Sequence, residues 1–158
     1  YNEKKFLDKC KKEQVDGLIV VDFPYPENKN FALRCKKRGI NFVQLISPTT
    51  SKLRLKKILR DSHDMVYYIS MLSTTGGKLK ISAKKIMANY NKIKKVNKKK
   101  NIVIGFGITD KTISSLTKAD GLVVGSALCK TITDSLMGKK NPTLAAVKMV
   151  KKLKSQIM

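Results

Sequence analysis

The sequence predicts an α/β fold with a parallel sheet, present as roughly the last five βα units of a (β/α)8 TIM barrel plus a C-terminal helix. Three observations carry this. Short β-branched runs alternate with longer lysine-rich stretches of helical period. The apolar runs are unbroken, as in strands covered on both faces. Glycine-bearing turns follow the last two runs, at Gly105-Phe106-Gly107 and Gly125-Ser126, at the strand ends where parallel folds meet their ligands.

Each element has a local reason. Residues 3–13 suit a helix, with Phe6, Leu7 and Cys10 on one stripe. Residues 16–24, DGLIVVDFP, read as a buried strand halted at Pro24. Residues 27–38 read as a helix, and Gly39 stands where a helix end wants positive φ. The strand 40–46 leads into a Ser47-Pro48-Thr49-Thr50 turn. Ser51 or Thr50 caps a helix to about Arg60, with Leu53, Leu55, Ile58 and Leu59 apolar. The run 65–70 is a strand, and 71–81 a loop carrying Thr75, Gly76 and Gly77. Ser82 caps a helix over 83–96. A strand over 101–108 ends in glycines, and Thr109-Asp110 opens a short helix to about 118. A strand over 120–127 follows, then a helix from Ser126 or Ala127 to about Met137. Asn141 caps the last helix, with Pro142 at its first position, to about Ser155. The segments 16-DGLIVV-21 and 120-DGLVVG-125 echo one another, as repeated βα units do.

Composition narrows the function. The 158 residues hold 34 Lys+Arg against 11 Asp+Glu, a net charge of +23, with a pI of about 10.1. An apolar fraction of 42% can build a core. No charged or Pro/Gly linker divides the chain, so one domain is expected over 1–158. No apolar run approaches the roughly 20 residues of a membrane helix, and no signal-peptide pattern opens the sequence. Cys10, Cys35 and Cys129 are unevenly spaced, which suits reduced thiols of a cytoplasmic protein better than a disulfide framework. His63 is the sole histidine and has no metal-ligand companion, so no metal is expected.

The two glycine turns can cradle an anion. Glycine lets backbone N–H groups approach it, and a following helix N-terminus adds a favourable dipole. Placed after consecutive strands, they resemble the phosphate site after the seventh and eighth strands of a (β/α)8 barrel. That barrel needs about 250 residues. On this count the strand at 16–21 is the fourth, and strands one to three are expected before Tyr1. Tyr67 and Tyr68 are strand neighbours and point to opposite faces: one toward the barrel interior, the other under the helices.

At these residues the chain resembles the tryptophan synthase alpha chain family. The segments carrying the likeness are 16-DGLIVVDFPYPE-27, 40-INFVQLISPTT-50, 66-VYYISMLSTTG-76, 103-VIGFGI-108 and 120-DGLVVGSAL-128. Together they are specific; GFGI or VVGSA alone would suit other phosphate-binding barrels. The resemblance implies a lyase of tryptophan biosynthesis. Its reaction is retro-aldol cleavage of indole-3-glycerol phosphate to indole and glyceraldehyde 3-phosphate. It also implies an alpha2-beta2 partnership with a beta chain that holds pyridoxal phosphate, with no cofactor in this chain.

By the same resemblance, Tyr67 points into the barrel near the reacting carbons. Val21 and Leu45 line the indole pocket. Thr75 and Gly76 belong to the loop that closes on substrate. Gly105, Phe106, Gly107, Gly125 and Ser126 hold the substrate at the phosphate end. Asp22 and Pro24 face the beta chain. The family has Gly-Val before its Thr-Gly, where this chain has Ser73-Thr74, a change expected to alter loop closure. The family's catalytic Glu and Asp have no counterpart among these residues. Cleavage needs an acid and a base, and tyrosine titrates near 10, so the 158 residues alone are expected to be inactive.

The lysines offer an alternative reading, a basic nucleic-acid-binding βα protein. Against it, lysine is spread over every helix, with no aromatic interleaving. Arginine, the preferred base reader, occurs only at 34, 38, 54 and 60. The cluster Lys94, Lys95, Lys98, Lys99 and Lys100 is read as a solvated helix end, favourable to the dipole. A different phosphate-binding barrel enzyme is the third reading.

Overall fold

A computed structural model describes residues 2–70, 82–105, 107–109 and 112–157. The elements in order are α1 (Glu3–Lys12), β1 (Gly17–Leu18), α2 (Lys29–Lys36), β2 (Asn41–Phe42), β3 (Gln44–Ile46), α3 (Lys52–Asp61), β4 (Met65–Ile69), α4 (Ala83–Val96), β5 (Asn101–Gly105), a 3-10 turn (Ile113–Leu116), β6 (Gly121–Val123), α5 (Ser126–Met137) and α6 (Pro142–Ser155). Every strand pairing among them is parallel. Parallel neighbours need a crossover, and helices supply it.

The helix caps are those expected. Ser51 accepts from the Arg54 amide, Ser82 from the Lys85 amide, and Asn141 from the Leu144 amide. Pro142 stands at the start of α6, where its missing N–H costs nothing. Gly39 takes φ +75° after α2.

Four strands form the main sheet in the order β3-β4-β5-β6. Their register sorts side chains cleanly. Ile46, Tyr68 and Ile104 lie side by side on one face and are buried against the helices with Val66, Ile102, Leu59, Ile86 and Ile93. Leu45, Tyr67 and Val103 lie side by side on the other face, half-buried. A second cluster joins α1, α2 and β2 through Leu7, Cys10, Phe31, Cys35, Ile40 and Phe42. Burial pushes the Cys35 thiol up to about 11, helped by nearby Cys10; Cys129 is exposed.

Several boundaries differ from the sequence reading. The buried strand expected over 16–24 pairs only at Gly17–Leu18. Ile19 and Val21 are 50% and 71% exposed. Among the described residues β1 is an edge with β2 as its one partner, so no described strand pairs with its other side, and apolar character alone cannot hold a strand. The strand expected over 40–46 splits at Val43. Asn41–Phe42 pairs with β1, whereas Gln44–Ile46 pairs with β4. The expected strands over 101–108 and 120–127 end at Gly105 and Val123, and the short helix near 109–118 is a 3-10 turn.

The lysine cluster also differs from a purely solvated face. Lys94 donates to the Asp120 carboxylate at 2.8 Å and to the Lys100 carbonyl. Asp120 in turn accepts from the Ile102 amide at 2.8 Å. Lys100 donates to the Ser62 carbonyl at 2.8 Å and also to that of His63. Burial works against the Asp120 charge, but the bonds from Lys94 and Ile102 outweigh it and hold its carboxyl below the usual range. These contacts lace together the amino-terminal ends of β4, β5 and β6. Lys95, Lys98 and Lys99 remain exposed.

Candidate functional site

The opposite, carboxyl-terminal end of the sheet gathers the residues singled out from sequence. Tyr67 stands on β4 between Leu45 of β3 and Val103 of β5. Its ring reaches forward over Gly105: a Cβ placed there would lie 1.8 Å from the Tyr67 hydroxyl. No side chain fits under that ring, which is a direct reason for glycine at the end of β5. Burial raises the Tyr67 phenol above the ordinary tyrosine value. It is therefore a neutral hydroxyl around neutral pH, able to donate or accept a hydrogen bond.

The turn after β5 is held by side-chain hydroxyls. Ser70, fully buried at the end of β4, donates to the Gly105 carbonyl at 2.8 Å, and its amide bonds the same oxygen at 3.1 Å. Thr112 Oγ1 donates to the Gly107 carbonyl at 3.1 Å and accepts from the Thr109 amide at 2.9 Å. Gly107 takes φ +71°, a backbone that disfavours other residues. Ser70 and Thr112 escaped the sequence reading. A serine at a strand end and a threonine three residues past a turn carry no signal until the two strands are side by side.

Gly125 and Ser126 open α5. The Gly125 carbonyl accepts from the Leu128 and Cys129 amides, which leaves the first turn's earlier N–H groups directed outward, as at any helix start. Open space lies where a Gly125 side chain would be. The structure thus brings Leu45, Tyr67, Gly105, Gly107, Gly125 and Ser126 to one end of one sheet. It does not bring Val21 into that row: Val21 and Asp22 lie exposed in the turn beyond β1, and Pro24, also exposed, follows it. Thr75, Gly76 and Phe106 lie outside the described residues.

The described residues of this end suit binding. They offer outward N–H groups for an anion, an apolar row, and the Tyr67 and Ser126 hydroxyls. Among the described residues no three His, Cys, Asp or Glu side chains converge as a metal site. No helix among them is long and apolar enough to cross a membrane.

Comparison with known proteins agrees with this placement. The sequence profile of the family described as tryptophan synthase alpha chain matches residues 1–158. The tryptophan synthase alpha chain of Pelagibacter ubique (strain HTCC1062) is 67% identical over 157 residues, covering 99% of this chain and 59% of the relative. The crystal structure of the tryptophan synthase alpha chain from Legionella pneumophila subsp. pneumophila superposes with TM-score 0.85 at 28% identity, over 99% of this chain and 57% of that one. The tryptophan synthase a2b2 complex of Pyrococcus furiosus gives TM-score 0.80 at 32% identity, over 98% and 61%. The chain thus spans under two thirds of the length of these relatives, and its sheet is the corresponding part of their (β/α)8 barrel. The chain belongs to the tryptophan synthase alpha chain family.

Proposed function

We propose that these residues form the substrate-holding part of an alpha chain that cleaves indole-3-glycerol phosphate to indole and glyceraldehyde 3-phosphate. The observation that carries this is the Tyr67 ring laid over Gly105, beside Leu45 and at the same sheet end as the Gly107 and Gly125-Ser126 turns. The phosphate goes to the N–H groups at Gly107 and the start of α5, where the dipole favours an anion. The indole lies along Leu45, beside Tyr67. Tyr67 orients the glycerol carbons by hydrogen bonding.

Retro-aldol cleavage still needs an acid to protonate the ring carbon and a base for the glycerol hydroxyl. In this reading the family's Glu and Asp do that work, and the residues described here hold and align the substrate. Asp22 and Pro24 face a beta chain, and the indole passes to that partner's pyridoxal phosphate. The alpha-beta assembly is supported by the a2b2 complex of the Pyrococcus furiosus relative.

Calorimetry with indole-3-glycerol phosphate and an assay for free indole test the reading together. The expected result for the 158-residue chain is binding without indole release, with binding lost in Gly105→Val. Indole release by this chain alone, or no binding at all, would overturn it. The nucleic-acid reading has no comparable support, since two lysines of its densest cluster are engaged within the fold.

A further inference from the structure

The helix-covered face of the sheet holds a concavity that Tyr67 does not line. A cleft of about 860 Å³ runs between α3 and α4. Its position follows from sequence. Residues 52, 55, 56 and 59 of α3 and 89, 92, 93 and 96 of α4 recur at helical spacing, so each helix turns one stripe to the gap. The walls are apolar where Leu55, Leu59 and Ile93 meet it.

Two further features mark it as more than a packing fault. The first is charge. Lys56, Lys92 and Lys95 stand along it, none with an ion pair to any described residue, and no Asp or Glu lines it among those residues. Arg60 also lines it but is committed to Asp61. The second is Tyr68. Its side chain is 0% exposed, lines the cleft, and its hydroxyl closes no hydrogen bond. Asn89, which also lines the cleft, is the side chain nearest to a hydrogen bond with the phenol, and the pair falls short of full hydrogen-bond geometry. A buried hydroxyl without a partner is rare in folded proteins.

We propose that the α3–α4 cleft binds a small amphiphilic anion: a flat apolar body between Leu59 and Ile93, a polar edge that partners the Tyr68 hydroxyl, and a carboxylate or phosphate among Lys56, Lys92 and Lys95. The site depends on none of the residues assigned to cleavage. Tyr67 and Tyr68 are consecutive and face opposite sides of one strand, so the two sites are separated by the sheet.

The probe pair is 6-hydroxy-2-naphthoate, whose hydroxyl supplies the polar edge for Tyr68, and its uncharged amide, titrated into the 158-residue chain and followed by calorimetry and by methyl NMR. Naphthoate is expected to bind one to one and to prefer its anion over the amide by about tenfold, with the preference shrinking as salt rises. Shifts are expected at Leu55, Leu59 and Ile93 methyls and not at Leu45 or Ile69. The exposed pair Lys56→Gln with Lys92→Gln should weaken naphthoate about fivefold, and Tyr68→Phe by a similar factor. Equal affinity for acid and amide would overturn the proposal. So would shifts confined to Leu45 and Ile69, or naphthoate affinity unchanged in both the lysine and the tyrosine variants.

Discussion

The two ends of the sheet are built on opposite plans. At the amino-terminal end, charged side chains bind strand to strand: Lys94 to Asp120, Asp120 to the Ile102 amide, and Lys100 to the carbonyls after α3. At the carboxyl-terminal end the ties are few and uncharged. Ser70 holds Gly105, Thr112 holds Gly107, and a glycine lies beneath Tyr67. The difference teaches where each end spends its residues. One face of a (β/α) barrel serves stability and the other carries chemistry. A binding end needs its N–H groups and its hydroxyl left uncommitted, so it cannot be fastened by the same charged network.

Substitutions at the two ends should therefore fail in different ways. The largest effect is expected at Gly105→Ala. The new methyl overlaps the Tyr67 ring, and overpacking of this kind costs about 1–3 kcal/mol. Binding of the proposed substrate, indole-3-glycerol phosphate, should fall further than stability does. Denaturation and calorimetry on the same sample check this, and a variant with lost stability but intact binding would blur the contrast between the ends.

Next comes Asp120→Ala. It strands Lys94 and the Ile102 amide together, for about 2 kcal/mol. Urea midpoints should drop while ligand affinity in the folded protein stays unchanged. Ser70→Ala, which removes one buried bond to the Gly105 carbonyl, is expected to cost about 1 kcal/mol and to show chiefly as weaker ligand binding. Gly125→Ala is milder, at about 0.5 kcal/mol, because nothing occupies the space a side chain would enter.

The smallest effect is set by pH. The Arg60 hydrogen bond, with help from Tyr25, draws the Asp61 carboxyl down from 3.8 to about 2. A depressed carboxyl contributes stability that is complete above its unfolded value and is lost as pH falls through its folded value. Acid titration monitored by urea midpoint should show a decline between about pH 4 and 2 that Asp61→Asn flattens. The amplitude is modest, since these pairs are largely solvated.

Much of this fold is legible in the sequence, for reasons that can be named. The caps Ser51, Ser82 and Asn141 announce helix starts because a short polar side chain beside an apolar stripe has few other uses. The glycine turns announce the carboxyl-terminal strand ends, the proposed binding end, because glycine permits close backbone approach there. What escaped was set by neighbours. The run at 16–24 has the same apolar character as 101–105, yet only the latter is flanked by strands on both sides. Lys94 and Lys100 look like any other lysines until Asp120 and the Ser62 carbonyl arrive from distant elements. Tyr67 was placed by family likeness; its seat over Gly105 needs two strands in register.

The adjacent tyrosines of β4 have a practical consequence. The chain contains no tryptophan and five tyrosines, so its near-ultraviolet emission comes from tyrosine alone. Two of those chromophores sit back to back, one on each face of the sheet. With Tyr1, Tyr25 and Tyr90 also changed to phenylalanine, replacing either Tyr67 or Tyr68 leaves the other reporting from its own side of the sheet. The protein thus carries a built-in optical readout able to tell which face a small molecule has entered, without any added label.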